Sequence, residues 1–291
     1  MSDEETPIFE SGTSIDKALT VLEALVAEAP NAALADIAAR AGFPKPNTHR
    51  ILRTLVRRGY AHTEGQGKYR PGPKILALAG QVLLSLNYAV VAQPYLQRLH
   101  DQVQDTVHLA LLDEERLYYV AKLDGSRPYR MRSAVGQELN LHSSSIGKAV
   151  LAALPGEERH MLLKGRALPQ VTANTRTDHE AIEAEVARVR ELGYAIDDNE
   201  NDPGVRCVGA SVYNALGRVI GGASISAPSF FLDGPEMARL APLVIDVATD
   251  ISEALGAPEA LIAARRQLAR THLERLASGE AVVPLLSTPQ S

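Results

Sequence analysis

The stretch LADIAARAGFPKPNTHRILRTLVRR, residues 34–58, decides the reading of the chain. Leu34, Ile37, Ala38 and Ala41 recur at helical spacing, and Gly42 stands where a helix closes on a left-handed residue. A second helix is predicted from about Pro46 to Arg58, with Pro46 tolerated in its first turn. Thr48, Leu52, Leu55 and Val56 form its inward face, while Asn47, Arg50, Arg53 and Arg57 fall on the opposite side. A short helix, a glycine turn and a second helix with a cationic outer face are the parts of a helix-turn-helix.

The flanks extend that unit. Upstream, Ser14 is the expected N-cap of a helix Ile15–Glu28 carrying Ile15, Leu19, Leu22 and Val26, which Pro30 stops. Downstream, Tyr60–Thr63 and Lys68–Arg70 read as strands joined by Glu64-Gly65-Gln66-Gly67, a hairpin with a basic arm. The whole describes a winged helix-turn-helix. Its second helix is expected in the major groove of double-stranded DNA, with Lys68 or Arg70 on phosphate or in the minor groove. The expected DNA-binding residues are Lys45, Asn47, Thr48, His49, Arg50, Arg53, Lys68 and Arg70. The plainer alternative is a solvated amphipathic face that meets another protein.

Charge distribution favours the nucleic acid. The 291 residues carry a net charge of −5, yet residues 40–74 hold nine Lys or Arg against Glu64 alone. Residues 81–291 are acidic, with 20 basic and 26 acidic side chains. Such asymmetry suggests a basic module for a polyanion and a larger module with another task. A length of 291 residues suits about two domains, and 45% hydrophobic residues exclude wholesale disorder. No uninterrupted run of 18 apolar residues occurs. Met1–Glu10 is acidic and lacks the basic start of a secretion signal, so the cytoplasm is the expected location. With Cys207 as the sole cysteine, an internal disulfide and a cysteine-rich zinc cluster are both excluded. No cofactor or metal is expected.

Gly72-Pro73 ends the wing, and Lys74–Leu86 reads as a helix with a broad apolar stripe that includes Ile75, Leu78, Val82 and Leu86. A further helix, about Val90–Val103, carries Leu96 and Leu99. Packing of these linker helices on a partner chain is expected, burial against the chain's own second domain being the alternative. Beyond them, Thr106–Leu112 and Leu117–Leu123 form a hairpin around Asp113-Glu114-Glu115. Ser145–Leu154 is helical, Thr177-Asp178-His179-Glu180 is a capping-box pattern for a helix to Leu192, and Gly193 leads into the strand Tyr194–Asp197. Val205–Tyr213 and Arg218–Ser226 flank Asn214–Gly217, Pro235–Leu255 is a closing helix, and Ala260–Ala277 is a further amphipathic one. This is an α+β pattern with an antiparallel sheet.

Ala41-Gly42-Phe43-Pro44-Lys45, Thr48-His49-Arg50-Ile51-Leu52 and Arg58-Gly59-Tyr60 resemble the DNA-binding half of the IclR family of bacterial transcriptional regulators. So, in order, do Val135-Gly136, Leu141-His142, Ile146-Gly147-Lys148-Ala149, Leu192-Gly193-Tyr194-Ala195-Ile196-Asp197, Glu200 and Gly204-Val205-Arg206-Cys207-Val208. The chain departs from the family at Pro46-Asn47 and at Ser143-Ser144-Ser145. The resemblance implies an α+β protein: an N-terminal winged helix-turn-helix joined by a linker helix to a GAF-like effector-binding domain with an antiparallel sheet. It implies a dimer or tetramer on a pseudo-palindromic operator, modulated by a small organic acid such as a sugar acid or aromatic acid. The expected divisions are a disordered acidic N-terminus (1–12), the DNA-binding domain (13–73), linker helices with the dimer contact (74–104), the effector domain (105–256) and a C-terminal extension (257–291).

Effector-binding positions implied by the resemblance are Met131, Leu139, Ser145, Ile146, Asp197, Val205, Cys207, Ser224 and Ser226. Apolar walls with hydroxyls at a helix N-terminus suit a carboxylate. The plain reading makes Ser224 and Ser226 ordinary strand alternation and Met131 core filling. Two rival functions centre on Cys207: an enzyme pairing it with His108, His142 or His179, or a redox sensor, which needs an exposed thiolate. No nucleophile elbow, phosphate loop or metal-ligand spacing supports catalysis.

Overall fold

A computed structural model describes residues 13–78 and 87–279. The chain divides between Leu86 and Asn87 into two units. The acidic residues 1–12, residues 79–86 of the expected Lys74–Leu86 helix and the tail from 280 lie outside the described residues.

The first unit runs α1 (Ser14–Ala27), β1 (Ala32–Ala33), α2 (Leu34–Ala41), α3 (Lys45–Arg57), β2 (Ala61–Gly65) and β3 (Lys68–Pro71). Residues 73–78 are helical and are labelled α4. As expected, α2 buries Ile37, Ala38 and Ala41 and ends on Gly42 at φ 69°. In α3 Thr48, Leu52 and Leu55 point inward. The hairpin turns through positive φ at Gly65, Gln66 and Gly67. It gains a third strand that the sequence reading missed, since β1 pairs with β3 in the order β1-β3-β2.

Two expectations for α1 are corrected. Its cap is Thr13, whose hydroxyl accepts from Asp16 N while the Asp16 carboxylate accepts from Thr13 N at 2.6 Å, a reciprocal box. Its inward face is Val21, Ala24 and Leu25, whereas Ile15, Leu19 and Val26 are exposed. Apolar residues cover more than half of this helix's circumference, so spacing alone does not choose the buried side.

The second unit contains α5 (Asn87–Val103), β4 (Thr106–Asp113), β5 (Arg116–Leu123), β6 (Glu138–Leu139), α6 (Ser145–Ala153), α7 (Gly156–Leu163), α8 (His179–Leu192), β7 (Ala195–Asp198), β8 (Val205–Tyr213), β9 (Val219–Pro228), α9 (Gly234–Ala254) and α10 (Glu259–Ala277). The strands form one antiparallel sheet in the order β6-β5-β4-β9-β8-β7. Alternation along each strand separates two cores. Val107, Leu109, Val208, Ala210, Ala223 and Ile225 pack beneath α5 and α9, and Ala110, Leu117 and Ala195 beneath α6 and α8. Leu96 and Leu99 of α5 are therefore buried in their own unit's core, which is the alternative raised above for that helix. The helix α8 is capped by Asp178, which accepts from Ala181 N, and not by Thr177. The short helix α7 and the two-residue β6 carry no periodic signal and were missed.

Three glycines let α6 lie unusually close to its surroundings. A Cβ on Gly147 would stand 2.5 Å from Leu141 O and 2.6 Å from Asn140 O. One on Gly209 of β8 would meet Ser145 Oγ at 2.8 Å, and one on Gly222 of β9 would meet Ile146 Cγ2 at 2.9 Å. Behind α6 a buried ion cluster holds the turn after β7. Lys148 Nζ reaches Glu200 Oε1 at 2.6 Å and Glu185 Oε1 at 3.3 Å, and Arg176 closes on Glu200 at 3.0 Å. Burial pushes the Glu185 carboxyl up, but Lys148, Arg188 and Arg176 together hold it below its ordinary value.

β7 pairs with β8 only as far as Gly209, so the edge of β8 beyond it needs other partners. The Arg265 guanidinium of α10 donates to Ser211 O at 2.9 Å, and Tyr213 N donates to Ser252 Oγ at 3.0 Å. Arg265 is buried over the Tyr213 ring and also bonds Thr249 Oγ1 and Ser211 Oγ.

Gly147→Ala is expected to destabilise the second unit by about 3 kcal/mol, because both obstructing atoms are backbone and cannot swing aside. Urea unfolding of the full chain reads this directly; an unchanged midpoint would contradict the close approach.

Candidate functional site

Two surfaces concentrate chemistry, one in each unit. On the first, Lys45, Asn47, His49, Arg50, Arg53 and Arg57 are exposed along α3, and Lys68 and Arg70 are exposed on the wing. Arg70 is ion-paired with Glu64 across the hairpin at 2.5 Å. Thr48 does not belong to this surface. It is fully buried, its hydroxyl donating to Pro44 O at 3.2 Å, so its inclusion among DNA-binding residues is corrected. A side chain inside the helix-turn-helix core has no route to a base edge.

On the second, a cavity of about 240 Å³ opens between α6 and its face of the sheet. All nine residues expected at an effector site line it. Met131, Leu139, Ile146 and Val205 are its apolar walls, while Ser145, Asp197, Cys207, Ser224 and Ser226 are its polar ones. Strand register explains the gathering. Asp197, Cys207 and Ser226 are opposite one another across β7, β8 and β9, and Gly209 and Ser224 are opposite one rung away. The glycine contacts described above bring Ser145 and Ile146, at the head of α6, down onto that row. A more open groove of about 850 Å³ lies between α1 and α3, over Ala18, Phe43, Ile51 and Leu55.

Of the cavity's irregular walls sequence reasoning reached only Met131. Tyr119, Arg132 and Ser133 join it on one side, and Asn201 and Asp202, from the turn held by the ion cluster, close another. Polar singletons on loops carry no period, so no pattern could have selected them.

The electrostatics are set by burial. Asp197 is raised to about 7, chiefly by desolvation, with Lys148 opposing and Glu200 adding to the rise. Its Oδ1 accepts from Glu200 N at 2.8 Å and Asn201 N at 3.2 Å. Burial and the neighbouring Asp197 push the Cys207 thiol well up. That shift disfavours the thiolate, opposite to what a redox sensor or a cysteine nucleophile requires. Of its suggested histidine partners, His108 bonds Ser133 and Ser226, His142 bonds Pro169 O, and His179 is exposed at the head of α8. Among the described residues no cluster of His, Cys, Asp and Glu has the makings of a metal site, and no helix is long and apolar enough to cross a membrane.

Comparison with known proteins matches both units of the chain to one family. Residues 14–65 match the family model for the IclR helix-turn-helix domain, and residues 80–253 that for the bacterial transcriptional regulator IclR C-terminal domain. The chain is 32% identical over 246 residues to the HTH-type transcriptional regulator XynR of Escherichia coli, covering 84% of this chain and 98% of XynR. The crystal structure of Thermotoga maritima IclR superposes with a TM-score of 0.71 at 28% identity, over 84% of this chain and 98% of that one. An IclR homolog from Microbacterium hydrocarbonoxydans, solved in complex with 4-hydroxybenzoate, shares the fold at a TM-score of 0.70 and 24% identity, over 84% and 99% of the two chains.

Asp197 carries a prediction in pH. Between its ordinary value near 3.8 and about 7, the folded chain holds a proton that the unfolded chain has released, so native stability falls as pH rises through that window. Asp197→Asn keeps the acceptor oxygen and removes the titration. Its thermal midpoint should match wild type near pH 4 and exceed it at pH 8, by at most ~4 kcal/mol in stability. A difference that does not vary with pH would show that Asp197 titrates normally.

Proposed function

The chain belongs to the IclR family of bacterial transcriptional regulators, and from that premise we propose how it reads DNA and what it senses. Relatives in this family are DNA-binding regulators of transcription, not enzymes, and this chain shares both of their domains. In our reading Asn47, His49, Arg50 and Arg53 meet bases or phosphates from the exposed side of α3, and Lys45 and Lys68 position the backbone. Arg70 exchanges Glu64 for a phosphate when the wing meets the duplex. Two copies of the chain supply two such helices to a pseudo-palindromic operator.

The effector is a small organic acid bearing hydroxyl groups. The single observation that supports this is the cavity's floor: Ser145, Ser224 and Ser226 beside a helix N-terminus, which favours an anion, with Arg132 at the rim. Asp197 in its acid form adds a donor, and Met131, Leu139, Ile146 and Val205 accept the carbon skeleton. The 4-hydroxybenzoate of the Microbacterium homolog is an acid of this class. Bound acid favours one state of the DNA-binding heads and thereby changes operator affinity.

Operator affinity should fall steeply with salt, by about 10³-fold or more between 50 and 200 mM if six or more phosphates are contacted. Arg50→Glu should abolish specific binding, whereas Arg270→Glu, an exposed position in the second unit, should leave it intact. Equal losses would dismiss the α3 assignment. For the sensing half, 4-hydroxybenzoate and a panel of aliphatic hydroxy acids should include a compound that raises the melting temperature of the full chain. If none does, the organic-acid assignment fails.

A further inference from the structure

Residues 124–137, between β5 and β6, form neither helix nor strand, yet they make the outer wall of the cavity through Met131, Arg132, Ser133 and Gln137. The two shoulders of this strap are fixed: Arg127 pairs with buried Asp105 at 2.6 Å, and Gly136 N donates to Tyr119 O at 2.8 Å. Between them, Lys122 and His108 of the sheet hydrogen-bond to the strap. Lys122 Nζ donates to Met131 O at 2.9 Å and to Ser133 O at 2.8 Å, while its charge pairs with Asp124. His108 Nε2 is hydrogen-bonded to Ser133 Oγ at 2.8 Å.

Lys122 and His108 are opposite each other on β5 and β4, and His108 is opposite Ser224 on β9. The second ring nitrogen of His108 lies 3.4 Å from Ser226 Oγ on the cavity floor. One buried imidazole thus touches a floor hydroxyl on one side and the strap on the other. Burial, helped by the Lys122 ammonium, drives His108 down to about 3, so the ring is neutral, with one nitrogen to donate and one to accept. Tyr119, its ring centroid 4.6 Å away, fixes the plane of the imidazole.

We propose that Lys122 and His108 are positioning residues that latch the strap over the cavity, making residues 128–135 the gate an effector must pass. His108 ties that gate to the hydroxyl at Ser226, so a ligand that engages Ser226 alters the latch. The proposal rests on the cavity being the effector site, but its test needs no effector.

Cys207 is the only cysteine of the chain and lines the cavity. Cys207 is half-buried, so the change in its rate of modification by methyl methanethiosulfonate from the wild-type baseline in the full-length protein reports how freely the strap admits the reagent. Wild type should react far more slowly than the chain unfolded in urea. Lys122→Met, His108→Phe and Ser133→Ala should each accelerate the reaction, Lys122→Met by roughly tenfold or more, since it removes two carbonyl bonds at once. Lys122→Arg, which keeps a donor for those carbonyls, should restore most of the protection. The groups that shift the thiol are Asp197, Ser226 and Asp202, not Lys122, so an acceleration in Lys122→Met reads access and not electrostatics. Thermal melts confirm that each variant is folded. If Lys122→Met unfolds, Ser133→Ala decides, because it deletes only the strap's hydroxyl. Folded variants that react at the wild-type rate overturn the latch. A latch that holds while no acid shifts the melting temperature leaves the gate standing and removes the effector reading instead.

Discussion

The second unit depends on how closely the first turn of α6 approaches the sheet. Gly209 and Gly222 remove the side chains that would hold the helix off, and Gly147 lets the preceding loop cross over it. That contact brings Ser145 and Ile146 to the same depth as the row Asp197, Cys207 and Ser226, and so makes a cavity where two flat surfaces would otherwise simply pack. It also carries Lys148 inward, where the ammonium is tolerated only because Glu200 and Glu185 meet it. Glu200 in turn begins the backbone pair of N–H groups that grips Asp197. The Gly-Lys pair of the α6 motif and the distant Glu200 are thus one device seen at two places in the sequence.

The first unit works on a different principle. Its core is small, and its business is on the outside: a helix that buries Leu52 completely while turning Arg50 and Arg53 to solvent. A chain with a net charge of −5 meets a polyanion because the positive charge is segregated, nine cations to one anion within residues 40–74. The acidic remainder lowers the overall charge without diluting that field at short range, since screening confines it to about 8–10 Å in cellular salt. Even within the basic segment two cations are held by carboxylates, Arg70 by Glu64 and Arg40 by Glu28.

Much of this was legible from residue order alone, for reasons that differ by element. The helices α2 and α3 declare their faces because polar and apolar residues separate cleanly, and Gly42 and Gly193 mark left-handed ends that no other residue adopts as readily. The cavity-lining positions were legible only through resemblance, because Ser224 and Ser226 look like any alternating strand until register sets them opposite His108 and Thr106. The reading failed where pattern is weak or doubled. Helix α1 is apolar on too many sides, β1 is two alanines, and Thr48 was counted as both core and contact when it can be only core. Of the strap only Met131 and Val135-Gly136, and of the 199–202 turn only Glu200, were legible, and those through resemblance; irregular backbone positions the rest, and irregular backbone has no period.

Helix α10 lies beyond the region that matches the family, which ends at 253. It nevertheless supplies the Arg265 that occupies Ser211 O, and His272 whose ring nitrogen meets Leu192 O at 2.7 Å. A recombinant fragment trimmed at the family boundary would therefore be cut through its own seam. It would leave an open strand carbonyl and the ring of Tyr194 uncovered, the kind of surface on which chains stack into insoluble assemblies. Whoever isolates the second unit should carry the boundary through Ala277, for in this chain the hem holds the cloth.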